Sequence, residues 1–200
     1  MPMDAISQSP SLRDRARRAV QGELVDVALR LFVERGYDEV RVDQIAEAAG
    51  MSKRSFFRYF PSKDALLLGK YDRLGEDLAA ALADRPTKEA TWTALRRMFD
   101  GVVDYISDPQ RAAQAEAVDH IIQASEVLRA GYLERMQRAQ ERIVEVVEER
   151  AAGHIHRLAA AAAVAAAFSA LSVAHQHAAR SGMPLSQALD TAMEAVSTIS

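Results

Sequence analysis

No cysteine occurs in the 200 residues, so disulfides, thiolate metal sites and a cysteine nucleophile are excluded. Glycine (9) and proline (6) are sparse. Little therefore interrupts helices, and the abundant alanine favours them almost everywhere. Neither a strand pattern nor a fixed-period repeat is present. The N-terminus, MPMDAISQSPSLRDRARR, has no apolar run behind its charges, so no signal peptide is expected. The most apolar stretch, Leu158–Ala174, is mostly Ala and Ser and lies between Arg157 and His175. A membrane span takes ~20 strongly apolar residues, so this stretch predicts a buried helix, no membrane partner and a cytoplasmic protein. A phosphate loop, a Gly-rich dinucleotide turn and a paired-carboxylate motif are also missing, which argues against an enzyme.

Aromatics are few, and that makes their placement informative. Of 12 (Trp 1, Tyr 5, Phe 6), four stand in the five residues FFRYF, from Phe56 to Phe60. Lys53, Arg54, Arg58 and Lys63 surround them. Net charge is −3, which alone argues against a nucleic-acid partner. Its distribution argues the other way: residues 1–70 carry 12 basic and 10 acidic side chains, the remainder 13 and 18.

The spacing predicts an all-α chain of about nine helices. Residues 1–12, punctuated by Ser and Pro, read as a flexible N-terminus. From Arg13 apolar residues recur at three and four (Val20, Leu24, Val27, Leu31) as far as Gly36, a left-handed cap residue. Val42–Ala49 makes a short second helix ending at Gly50. Ser52 is an N-cap for a third, Lys53–Phe60, which Pro61 stops. Ser62 caps the next, Lys63–Ala83. Longer helices follow at Lys88–Ser107, Gln110–Ala124, Ser125–Ala152, His154–Arg180 and, opened by Pro184, Leu185–Ile199. Residues 13–62 thus form a helix-turn-helix domain with a supporting first helix, and 63–200 a second helical domain.

In a helix-turn-helix the second helix must both pack and read. Phe56, Tyr59 and Phe60 share a face and are assigned to packing against Val27, Leu31, Ile45 and Ala46. Phe57, Arg58, Lys53 and Arg54 then point outward. An arginine in the first turn, Arg54, can hold guanine O6 and N7 bidentately, and an outward Phe57 suits thymine methyls. Lys53, Arg58 and Lys63 suit phosphates. Arg13, Arg15, Arg17 and Arg18 read either as a basic arm for an adjacent minor groove or as a solvated helix start.

The segment VDQIAEAAGMSKRSFFRYFPSKDALL, with LFVERGYDEV before it, resembles the DNA-binding segment of the TetR family of bacterial transcription regulators, over roughly Val20–Leu68. The resemblance implies a homodimer on a double-stranded pseudo-palindromic operator. It also implies a C-terminal domain that binds a small-molecule effector and releases the DNA. It assigns DNA contacts to Arg41, Ser52, Lys53, Arg54, Ser55, Phe57, Arg58 and Lys63. Three positions depart from the family pattern: Arg41 stands where a capping Thr or Ser is usual, Arg54 where Gly is frequent, and Phe57 where a Tyr is frequent. The dimer face falls on helices 154–180 and 185–199.

The effector site is expected among Trp92, Phe99, Tyr105, His120, Gln123, Tyr132, Met136, Phe168 and His175. This aromatic and Met content favours a hydrophobic or amphipathic ligand. No metal or other cofactor is expected: His154/His156 and His175/His177 are two apart on a predicted helix and diverge. The competing readings are an activator, or a helical ligand-binding or scaffold protein that has lost operator binding.

Overall fold

The computed structural model describes residues 11–198, so all but the last two residues of the expected flexible N-terminus, 1–12, lie outside the described residues. Ten helices are present among them: α1 (Leu12–Arg35), α2 (Val42–Ala48), α3 (Lys53–Tyr59), α4 (Lys63–Ala83), α5 (Thr91–Arg97), α6 (Asp100–Ser107), α7 (Pro109–Ala124), α8 (Glu126–Arg150), α9 (Arg157–Ser181) and α10 (Leu185–Thr198). They group into two compact units, Met1–Leu67 and Leu68–Ser200, with the division inside α4.

In the first unit, α1 buries Leu24, Val27, Ala28, Leu31 and Phe32 beside Ile45 and Ala46 of α2 and Phe56 of α3. The turns are local chemistry. Gly36 (φ 84°) and Gly50 (φ 67°) adopt left-handed backbone, which only glycine takes at little cost. At Gly50 the amide of Met51 reaches Ala46 O and that of Gly50 reaches Glu47 O. This is the Schellman pairing, and it satisfies the last carbonyls of α2. Ser52 Oγ accepts the Ser55 amide at 3.1 Å and Ser62 Oγ the Ala65 amide at 3.0 Å.

The second unit centres on Leu82, Leu95, Phe99, Ile143, Ala160, Val164, Ala167 and Leu189, all without exposed surface. The single helix expected over Lys88–Ser107 is two. At the break the Phe99 amide bonds Arg96 O, three residues back, and Phe99 turns its ring edge-on to Phe168, 5.4 Å away. The expected start of the ninth helix at His154 is also corrected. Ala152 (φ 47°) and Gly153 (φ 82°) break the chain there, and the helix begins at Arg157 with His156 Nδ1 accepting the Leu158 amide at 3.1 Å.

By length and composition α9 is able to cross a membrane, the one such helix among the described residues. It packs against α8 and α10, with Ala160, Val164, Ala167, Ala170 and Ala174 buried. The expectation of a buried helix therefore holds for one stripe only.

Helices α4 and α8 touch almost backbone to backbone. A Cβ on Gly75 would stand 2.8 Å from Cβ of Ala139, whereas one on Gly69 would meet nothing within 4 Å. Gly75→Leu is expected to destabilise by about 1–3 kcal/mol through overpacking, although leucine is the better helix former. Gly69→Ala is expected to stabilise by up to about 1 kcal/mol. Thermal melts of the two variants run in opposite directions if the close approach is real.

Candidate nucleic-acid interface and effector site

The recognition face is built by α3. At about 100° per residue, Lys53, Arg54, Phe57 and Arg58 span roughly 140° of the helix, and all four are exposed. Phe57 keeps 46% of its surface open to solvent, while its neighbour Phe56 keeps none. Neither Lys53, Arg54 nor Arg58 has an acidic side-chain partner among the described residues. Of the three aromatics assigned to packing, only Phe56 is fully buried. Phe60 is half-buried with its ring 6.0 Å from that of Phe56, and Tyr59 is half-buried.

Two side chains of α1 hold the C-terminal end of α3. Arg17 Nη2 donates to Arg58 O and Gln21 Nε2 to Tyr59 O, both at 3.3 Å. Helix C-termini leave carbonyls without helical partners and carry partial negative charge, so these donors are well placed. Sequence reasoning missed Gln21 and weighed Arg17 as part of a basic arm. Arg13, Arg15, Arg17 and Arg18 instead lie on α1 itself, exposed.

Arg41 is exposed and pairs with Asp43 at 3.2 Å. Asp43 also accepts the Gln44 amide, and Gln44 Oε1 accepts the Arg41 amide at 2.8 Å. Asp43 and Gln44 together thus do the capping that Arg41 cannot. The Arg41 guanidinium, then the Gln44 amide, hold the Asp43 carboxyl below the usual aspartate range against a desolvation that opposes them.

Lys63 has a structural role that sequence reasoning did not foresee. Its ammonium donates to Tyr37 O at 2.8 Å and Val40 O at 2.9 Å, and lies 4.0 Å from the Tyr37 ring centroid. The Tyr37 hydroxyl in turn donates to Asp64. Burial and the Asp64 partner push the Tyr37 hydroxyl well above the usual tyrosine range. The lysine therefore staples the α1–α2 loop to the start of α4, with one donor left for a phosphate. Lys63→Met is expected to destabilise by about 1–3 kcal/mol, because it strands loop carbonyls. Melting temperature reads that role. A separate phosphate role is read as a fall of about one in the salt slope of DNA binding.

In the second unit the nine residues expected to form an effector site do not come together. Phe99 is fully buried core against the half-buried Phe168. Trp92 donates its indole N–H to Met193 O at 3.1 Å. Tyr105, His120, Gln123 and His175 are exposed, with Arg111 stacked over Tyr105 at 5.2 Å. Tyr132 and Met136 are half-buried, one turn apart on α8. Among the described residues no three His, Asp or Glu side chains are placed to hold a metal ion.

Tyr132 has different companions. Its ring meets Tyr71 of α4 edge-on at 4.8 Å, and Lys70 Nζ lies 4.9 Å from the Tyr71 ring centroid. Burial holds the Lys70 ammonium below the usual lysine range, with Asp119 of α7 opposing. It holds the Tyr71 and Tyr132 hydroxyls above theirs, with Asp119 adding to both. Tyr71 also lines an open groove of about 590 Å³ between α4 and α8, walled by charged residues including Asp72, Arg135 and Arg138. A partial signal for Lys70 was present in the sequence: Leu66 and Leu67 lie one turn before it and Leu74 one turn after, although Arg73 shares that side.

This is a helix-turn-helix unit followed by an all-helical body. Residues 24–69 match the family model of bacterial regulatory proteins, tetR family. The chain is 31% identical to the HTH-type transcriptional regulator CymR of Pseudomonas putida, over 70% of this chain and 68% of that protein. It is 32% identical to the HTH-type transcriptional regulator TcmR of Streptomyces glaucescens, over 70% of this chain and 64% of the relative. Among solved structures, the SmeT–triclosan complex aligns with a TM-score of 0.62 at 18% identity, covering 88% of this chain and 91% of that one. At that identity the likeness is one of fold. The chain belongs to the TetR family, a family of transcriptional regulators rather than of enzymes.

Proposed function

We propose that this chain is a ligand-responsive transcriptional repressor that binds a pseudo-palindromic operator as a homodimer and leaves it when a small effector binds the second unit. The observation that carries the reading is the exposed face of α3. Three exposed cations without acidic partners among the described residues stand there with a half-exposed phenylalanine, and they match what a major groove offers: guanine acceptors, thymine methyls and flanking phosphates. Arg54 is the base reader. Lys53 and Arg58 are phosphate contacts, with Ser52, Ser55 and Arg41 at the edges of the same surface.

Dimerisation is supported by the outer stripe of α9. Leu158, Ala162, Ala165, Ser169, Ser172 and Val173 are all exposed and recur at three and four. Leu158 is 74% and Val173 61% exposed in the single chain. Small residues between two large apolar ones suit a partner helix at close range. Repression is supported by SmeT, named as the repressor of a Stenotrophomonas maltophilia efflux pump.

Fluorescence anisotropy with DNA from upstream of the chain's own gene, at several salt concentrations, tests the reading. Tight binding that falls steeply with salt and discriminates against unrelated DNA is expected. Equal, weak binding to all DNA, including pools from a random-sequence selection, removes it in favour of a helical protein that does not read DNA.

A further inference from the structure

We infer that Lys70, Tyr71 and Tyr132 form the polar end of the effector site and that the effector is an organic anion with an aromatic body, such as an aromatic carboxylate. The inference rests on the ligand-responsive reading above and names the class of ligand.

The first observation is a surplus of donors. The Lys70, Tyr71 and Tyr132 side chains are half-buried, and their polar atoms reach solvent. None of the three has a hydrogen-bond or ion-pair partner among the described residues. Donors that reach solvent and have no protein partner are open to a ligand's acceptor. Asp119 acts on all three from α7 without closing an ion pair with Lys70. Phenols are protonated at neutral pH, so the cluster offers an ammonium and two O–H donors. That set is complementary to a negatively charged oxygen acid and not to a cation.

The second observation is shape. The two tyrosine rings meet edge-on at 4.8 Å, which presents an aromatic wall beside the ammonium. Val118 and Ile122 flank Asp119 on α7, and Met136 follows Tyr132 on α8. A flat apolar ring is favoured there. The third observation is access: the polar ends of all three side chains reach solvent, and Tyr71 also lines the open groove between α4 and α8.

The test is calorimetric titration of the full chain with a matched pair of probes, anthracene-9-carboxylate and anthracene-9-carboxamide. The carboxylate is expected to bind at least tenfold more tightly. Lys70→Gln should erase that preference and Lys70→Arg should keep it. Asp119→Asn, which removes the competing negative charge, should strengthen carboxylate binding. Tyr132→Phe, which keeps the ring and loses one donor, should weaken it several-fold. Melting curves show whether each variant is folded. Equal affinity for the two probes, no saturable binding of either, or a carboxylate preference that survives Lys70→Gln overturns the inference. DNA binding is measured separately and without probe. Anion preference without DNA binding removes the regulator reading alone, and DNA binding without anion preference removes this inference alone.

Discussion

Arg54→Ala is expected to cost the operator complex about 1–3 kcal/mol in each half-site, roughly a 5- to 150-fold loss of affinity for each, and to relax the choice of base at one position in each half-site. Arg54 stands in the first turn of α3, exposed and without an acidic partner among the described residues. First-turn side chains of a recognition helix meet base edges, and a guanidinium fork fits guanine O6 and N7 together. Lys53→Ala is the comparison. A phosphate contact carries charge but no sequence, so its loss should weaken binding to every DNA alike and lower the salt slope by about one for each half-site. Anisotropy titrations against the selected operator and its single-base variants separate the two. If Arg54→Ala weakens all sequences equally, Arg54 is a phosphate contact and the base reading is wrong.

The second large effect comes from two adjacent phenylalanines of identical composition and opposite surroundings. Phe56 is fully buried, with its ring 5.6 Å from Phe57 and 6.0 Å from Phe60. Phe56→Ala is expected to cost about 3–5 kcal/mol, the range for emptying a core aromatic site. A small domain has about 5–15 kcal/mol to lose, so the variant should give up a large share of the first unit's stability and melt well below the parent. Phe57→Ala removes a half-exposed ring and should change stability by no more than about 0.5 kcal/mol, as surface substitutions do. It should nonetheless weaken operator binding, most at sites that present thymine to it. Circular dichroism melts and anisotropy on both variants decide the matter. A Phe57→Ala protein that melts early, or binds DNA as before, would place that ring in the core or away from the groove.

Most of the helix-turn-helix was legible in the residues. Gly36 and Gly50 end helices because left-handed backbone excludes most side chains, Ser52 and Ser62 start them because a side-chain oxygen satisfies an otherwise unbonded amide, and Pro61 forces Phe60 out of helix. These are local rules, and the turn between α2 and α3 obeys them. The outward set Lys53, Arg54, Phe57 and Arg58 followed from helical period alone, because one face of so short a helix must pack.

What tertiary structure decided lies wherever a side chain meets something distant in sequence. Lys63 looked like a free cation, but it caps carbonyls 23 and 26 residues away. Arg17 read as part of a basic arm or of a solvated helix start, but it caps the end of α3, 41 residues on. Lys88–Ser107 read as one helix until Phe99, drawn into the core against Phe168, tightened the backbone there. The proposed effector site was the least legible part. Its expected aromatics scattered between core and surface, while Lys70 and Tyr71 gain meaning only because α8 brings Tyr132 and α7 brings Asp119 beside them. Helical period tells which residues share a face. It does not tell which faces meet, and a binding site is made where they do.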